Sequence, residues 1–159
     1  MLFRSHPDLD IIFCPVGGGG LLSGTLIASK GFKPTIEVFA AEPKNVDDAS
    51  RSLIEGKIMT NSTINSIADG LLTNLSERTF TIIQKHVNGI ITVSEHDILK
   101  AMRFIWERMN IVVEPSGAVS LAAAITGQVP IQGKKVGIII SGGNIDLNEF
   151  FTLLEKKIK

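Results

Sequence analysis

Short apolar runs rich in isoleucine and valine alternate along this chain with longer stretches in which apolar residues return every three or four positions. The first pattern predicts strands buried on both faces and the second predicts amphipathic helices, so their alternation predicts βα units around a parallel sheet. Strands are expected at Asp10 to Val16, Thr35 to Ala41, Gly89 to Val93 and Lys135 to Ile140, with helices filling the intervals. One helix follows the glycines at 17–20 and is expected to stop near Lys30, ahead of Gly31 and Pro34. Another is SEHDILKAMRFIWERM at 94–109, where Ser94 and Asp97 stand at the two positions of a reciprocal cap. Its residues Ile98, Met102, Ile105 and Met109 make one apolar face. Two further helices are expected to begin near Pro115 and near Asp146. Residues 56–70 show no period and read as a long loop, which in a compact domain tends to carry function. The fold class is α/β, a parallel sheet flanked by helices, with residues 1–159 forming one unit free of repeats or linkers.

Composition narrows the partners. The 159 residues hold 16 basic and 16 acidic side chains, a formal net charge of zero, which gives no electrostatic footprint for nucleic acid or for an anionic membrane. No run approaches the ~18 apolar residues of a membrane span, and the start MLFRSHPDLD lacks the pattern of a secretory leader, so a cytoplasmic location is expected. The only cysteine, Cys14, lies inside the run IIFCPV and is expected to be a small buried side chain. A small-molecule partner is the class that remains.

The stretch CPVGGGGLLSGTLIAS at 14–29 points to what that molecule carries. Strand, glycine turn and helix together offer unpaired amides and a helix N-terminus, the arrangement that binds phosphate. No Lys or Arg occurs between Arg4 and Lys30, so backbone amides would hold the anion with little help from side-chain cations. A dinucleotide fold opens in a similar way. Gly18, Gly20 and Gly24, with Glu42 at the next strand end, give only a loosened version of its fingerprint.

Four more stretches occur in fixed order after PVGGGGLLSG: FAAEPKNVDDA at 39–49, SIADGL at 66–71, VVEPSGAVSLAAA at 112–124 and IIISGGNIDL at 138–147. In this combination the chain resembles the C-terminal half of the fold type II, tryptophan synthase beta-like, pyridoxal-phosphate enzymes. Within them it is similar to the serine racemase and threonine (serine) dehydratase family, with WERM and VEPSGA pulling it towards the racemases.

The resemblance implies roles residue by residue. Gly17, Gly18, Gly19 and Gly20 match the tetraglycine loop around the cofactor phosphate, and Ser141 matches the serine whose hydroxyl meets the pyridine nitrogen. Asp69 and Gly70 match the family's ADG near the ring, and Glu114 matches a glutamate behind it; as a residue, Glu114 also reads as a cap for the helix at Pro115. Asn144 falls where a loop approaches the pyridine edge and, in the racemases, a nucleotide effector site. Asn110 stands where animal racemases carry a lysine, a departure at that effector site. In the racemase-like branch Glu42, the carbonyl of Val46 and Asp48 match a divalent-cation site suited to Mg2+, Ca2+ or Mn2+. Asp47 and Asp48 also read simply as residues that favour a helix start.

One part of the family pattern is missing. The cofactor-bearing lysine belongs to an S-x-K-x-R-G-A-like motif upstream of the glycine loop, and no such motif occurs in these 159 residues. SKGFKP at 29–34 imitates it, but Lys30 and Lys33 sit on a connector and are expected to be solvated charges. The remaining lysines lie at connectors, on remote helices, or at the C-terminal end, as Lys134, Lys135, Lys156, Lys157 and Lys159 do. The resemblance therefore implies a C-terminal portion of a PLP-dependent L-serine or L-threonine dehydratase or serine racemase. It also implies an N-terminal half as partner and a homodimer as the intact enzyme. A reading from another class is a non-catalytic remnant or subunit that binds a phosphorylated ligand or a partner chain.

Overall fold

The structure, a computed structural model, describes residues 5–155. Residues 1–4, which enter the reading of the chain start, and Lys156, Lys157 and Lys159 lie outside the described residues.

Four strands form one all-parallel sheet: β1 (Ile11–Pro15), β2 (Glu37–Pro43), β3 (Gly89–Val93) and β4 (Val136–Ile138), in the order β3-β2-β1-β4. The expected strands are all present; β3 has the expected bounds and the other three have shifted ends. β2 starts two residues later than expected because residues 33–36 close a turn, in which Ile36 N donates to the Lys33 carbonyl at 3.0 Å. β4 stops at Ile138 because the chain makes one more bond, Ile139 N to the Phe13 carbonyl, and then turns towards residues 112–114.

Every residue of β1 is buried, and alternate side chains enter opposite layers. Ile11 and Phe13 pack with α4 (Glu95–Met109), α5 (Pro115–Ile125) and α6 (Leu147–Glu155). Ile12 and Cys14 pack with α1 (Gly20–Phe32), α3 (Glu77–His86) and Ala49 of α2 (Asp48–Glu55). The result is helix, sheet, helix. In α5 the small side chains Ala118, Ala122 and Ala123 are fully buried and let the helix approach the sheet closely.

The helix signals act as the sequence says, with two exceptions. In α4, Ser94 Oγ accepts from Asp97 N at 3.2 Å while Ser94 N donates to Asp97 Oδ2 at 3.2 Å. Asp146 Oδ1 accepts from the amides of Asn148 and Glu149 and so starts α6. Met109, expected on the buried face of α4, is 49% exposed, because the helix ends there at Asn110 in a left-handed conformation. Gly31, expected to stop α1, lies within it: the helix runs on to Phe32, and Lys33 caps it in extended geometry.

Lys30 and Lys33 are also corrected. Neither is simply solvated. Lys30 Nζ donates to the Ile36 carbonyl at 2.5 Å and to Asn88 Oδ1 at 3.2 Å, and Lys33 Nζ donates to the Leu9 carbonyl at 2.7 Å. They close the end of the sheet opposite the glycine loop.

Cys14 is buried, and burial pushes its thiol up to about 11. At pH 8 iodoacetamide is therefore expected to leave the native chain unlabelled and to alkylate it fully in denaturant, as intact mass will show. Rapid native labelling would contradict the packing of β1.

Candidate active site

In an open parallel sheet, ligands collect beyond the carboxyl ends of the strands, where consecutive connections leave in opposite directions. Here that point is β1, whose two neighbours are β2 and β4. The glycines follow β1, and Ser141 follows β4.

A cavity of about 280 Å3 opens there, lined by Gly17, Gly18, Gly19, Gly20, Gly70, Glu114 and Ser141 among others. These seven expected residues come from four separate stretches of chain. Gly19 is the N-cap of α1 at φ 82°, the first turn holds no acidic residue, and no side chain caps it. The first-turn amides of α1 are thus left for an anion, in the favourable end of the helix dipole. Thr79 Oγ1 donates to the Gly18 carbonyl at 3.0 Å and ties the loop to α3.

Glu114 sits at the N-cap of α5, yet its carboxylate makes no capping bond. Its backbone does that work: the Glu114 carbonyl accepts from Gly117 N at 3.0 Å and from Ala118 N at 3.2 Å, and its amide donates to the Gly142 carbonyl at 3.3 Å. The carboxylate occupies the space a side chain at 142 would need, so Gly142 is required for this closeness. Asn144 and Asp69, both expected near the cofactor, lie outside the first cavity. They line a neighbouring one of about 250 Å3 together with Ser66, Pro115 and Glu149, and Glu114 is shared by both. Ser116 is a site residue that sequence reasoning misses. It lines the first cavity and its Oγ accepts from Gly70 N at 3.0 Å. Its only signal in the sequence is its place beside Pro115 in the first turn of a helix.

Glu42 lies at the end of β2, Val46 in the short turn Lys44–Val46 and Asp48 at the start of α2, and the Asp48 charge acts on Glu42. Glu42 and Asp48 are each 1% exposed. The Glu42 carboxylate accepts from Ala49 N and Ser50 N, both at 2.9 Å, and burial still pushes it up to about 8. Burial also raises Asp48, against the bond from Asn61. Asp48 Oδ2 is buried with no partner. Among the described residues no group of three or more His, Cys, Asp and Glu side chains gathers to hold a metal ion. No helix of the described residues is long and apolar enough to cross a membrane.

The family model for pyridoxal-phosphate dependent enzymes matches residues 2–142. The chain belongs to that family. Its relatives include a serine racemase of Dictyostelium discoideum, 51% identical over 96% of this chain and 48% of the relative. An L-threo-3-hydroxyaspartate ammonia-lyase of Saccharomyces cerevisiae is 43% identical over 98% of this chain and 48% of its own length. The structure of maize serine racemase superposes with a TM-score of 0.90 at 40% identity, covering 95% of this chain and 47% of that one. The chain thus spans about half the length of the family members it matches. The expected fold class and family are both met.

Proposed function

We propose that this chain forms the phosphate-binding and ring-edge wall of an enzyme that converts L-serine or L-threonine to a 2-oxo acid and ammonia, with serine racemisation as the companion activity. The observation that carries the reading is the convergence of the glycine loop, Gly70, Glu114 and Ser141 on one cavity at the sheet's switch point. The Dictyostelium and Saccharomyces relatives are named for serine and for a 3-hydroxyaspartate, both amino acids with a hydroxyl on Cβ.

Bound pyridoxal phosphate supplies the delocalisation of the electron pair left at Cα when its proton departs. Binding and orientation fall to the chain's own residues. The amides of Gly17–Gly20 hold the phosphate. Ser141 offers the pyridine nitrogen a neutral hydroxyl, where a carboxylate would hold it protonated and draw electrons more strongly. That weaker pull suits loss of the β-hydroxyl or reprotonation at Cα. Glu114 and Gly70, which line the first cavity, and Asn144, which lines its neighbour, would hold the ring. Glu42, the Val46 carbonyl and Asp48 offer the hard oxygen donors that Mg2+, Ca2+ or Mn2+ would take, and one of those oxygens, Asp48 Oδ2, is buried without a hydrogen-bond partner.

In this proposal the lysine that carries the cofactor and moves the α-proton comes from polypeptide outside these 159 residues. Among the described residues, no lysine lines either cavity. An N-terminal half supplies it, and the assembled enzyme is a homodimer located in the cytoplasm. Ile27 and Phe32 of α1 and Leu147 and Phe151 of α6 are exposed apolar side chains that such partners would cover.

The test is to purify the chain, add pyridoxal phosphate and L-serine, and follow 2-oxo acid release, D-serine and borohydride-trapped cofactor, with and without a lysine-bearing upstream polypeptide. No turnover alone and turnover with the partner is the expected result. Turnover by the chain alone, with the cofactor trapped on one of its lysines, would overturn the assignment of that lysine to another segment. Cofactor binding with no turnover under either condition would support the binding-only reading instead.

A further inference from the structure

The candidate cation site and the cofactor cavity share no residue, but one segment of chain reaches both. It leaves α2 at Gly56 and forms no helix or strand before the short turn Asp69–Leu71. Its hydrogen bonds show where it is held.

At the near end, Arg51 Nη2 donates to the Thr60 carbonyl at 3.1 Å and to Asn61 Oδ1 at 2.6 Å. Asn61 Nδ2 in turn donates to Asp48 Oδ1 at 2.6 Å, and the other oxygen of that carboxylate is the buried one without a partner. Arg51 is kept in place by Asp47, whose Oδ1 accepts from Nε at 2.7 Å. The guanidinium therefore orients an amide, the amide orients a carboxylate, and one oxygen of that carboxylate is left to bind.

In the middle stands Glu95, the first residue of α4. Its carboxylate accepts from Ser66 Oγ at 2.7 Å and from Ile67 N at 2.9 Å, both on the segment. It also accepts from Asn45 Nδ2 at 3.4 Å, and Asn45 is the neighbour of Val46 in the turn between Glu42 and Asp48. At the far end Gly70 N donates to Ser116 Oγ inside the cofactor cavity. Just beyond, the chain presses on the phosphate loop: a Cβ at Gly17 would lie 3.0 Å from Leu71 Cα.

We propose that residues 57–70 act as a strap that couples cation binding to cofactor binding, with Asn61 positioning Asp48 and Glu95 positioning the strap's middle; this rests on the reading of Glu42, Val46 and Asp48 as a cation site. A cation drawn onto Asp48 and the Val46 carbonyl fixes Asn61 and Asn45, and through them both hydrogen-bonded anchors of the strap. Gly70 and Ser116 then meet the cofactor already ordered. Ordering done by the first ligand need not be repeated for the second, which is positive coupling, and it acts equally in both directions.

The experiment uses the chain itself, with Mg2+ and pyridoxal phosphate as probes. Mg2+ affinity is measured by titration calorimetry, cofactor affinity by absorbance with Mg2+ or with EDTA, and amide hydrogen exchange is followed at 17–20 and 57–70. In the wild type, Mg2+ is expected to tighten cofactor binding by about fivefold or more, the lower range of ordinary coupling, and to slow exchange in both segments. Asn61→Ala should weaken Mg2+ by about tenfold, as loss of a ligand's supporting bond does. Glu95→Gln should leave Mg2+ affinity at the wild-type level while cofactor affinity stops responding to Mg2+ and protection at 17–20 is lost. Ser66→Ala, a milder change at the same anchor, should do the same and covers a folding defect in the Glu95 variant. Wild-type coupling in both variants would overturn the strap and leave the cation site standing. If calorimetry detects no Mg2+ uptake by the wild type, the cation reading fails and the strap fails with it.

Discussion

Gly19→Ala is expected to lose a large part of the chain's stability and its cofactor affinity together. At φ 82° the backbone is left-handed, which costs a residue with a side chain roughly 1–2 kcal/mol. The new methyl would also lie 2.8 Å from Leu75 Cδ2, 2.9 Å from Thr79 Cβ and 3.0 Å from Ile83 Cδ1. Forcing a methyl into packed surroundings costs about 1–3 kcal/mol more. The sum, roughly 2–5 kcal/mol, is a large part of the 5–15 kcal/mol that typically holds a domain folded. The ends of Leu75 and Ile83 can turn aside, but Thr79 Cβ cannot, so relief also requires moving the glycine loop away from α3, which disperses the amides at the start of α1. Gly20→Ala supplies the contrast. Nothing lies within 4 Å of its Cβ, and the position is helical, so stability should hold or rise by about 0.5–1 kcal/mol. Urea midpoints of the two variants decide the matter, and a wild-type midpoint for Gly19→Ala would contradict the loop geometry.

In EDTA the chain is expected to lose stability as pH rises from about 5 to 8, the reverse of the usual behaviour of carboxylates. Burial favours the neutral form of Glu42 and lifts it from an ordinary 4.5 to about 8, opposed by two amide bonds and reinforced by the nearby charges of Asp48 and Asp47. Between those two values the folded state holds a proton that the unfolded state has released. Stability therefore falls with pH, by at most about 1.4 kcal/mol per unit for one group, and is fully present only below the unfolded value. Asp48, also raised by burial, acts in the same direction. Each kcal/mol corresponds to roughly 2–4 °C in melting temperature for a chain of this size. Saturating Mg2+ should flatten the slope, because a cation favours the ionised carboxylates. Glu42→Gln should flatten it in EDTA. A flat wild-type profile in EDTA would show that Glu42 is ionised without a metal.

The elements most legible in the sequence are those whose local chemistry and tertiary setting agree. β3 falls at Gly89–Val93 as expected, and α4 starts at the cap drawn from Ser94 and Asp97. Gly31 misleads because it has no left-handed backbone to end the helix, and a glycine inside a helix costs only about 1 kcal/mol. The strand start at 35–37 shifts because a local turn closes on the Lys33 carbonyl, and the end at 138–140 shifts because the last bond goes to the distant Phe13 carbonyl, which no local pattern records. The site is a different case. Positions 17, 70, 114 and 141 have no period in common, and the resemblance to a family is what connects them beforehand. Arg51, Asn61 and Glu95 leave no mark in the sequence pattern, and Ser116 only its place beside Pro115, because the bonds that hold the strap and the cavity reach partners 9 to 50 residues away.

β4 pairs with β1 across the whole chain, Ile11 against Val136. Closing a loop of that length is the slow kind of step in folding, since the chain must be gathered before any contact compensates its lost freedom. β1, β2 and β3 can assemble with their helices before residues 136–138 dock. Ser141 and Gly142 lie just past β4, so the wall they form can close only once that strand has docked. A half-folded chain can present the glycine turn but not the enclosed pocket. The cofactor therefore cannot template the early sheet; it rewards the final docking step, and its presence should slow unfolding far more than it speeds refolding.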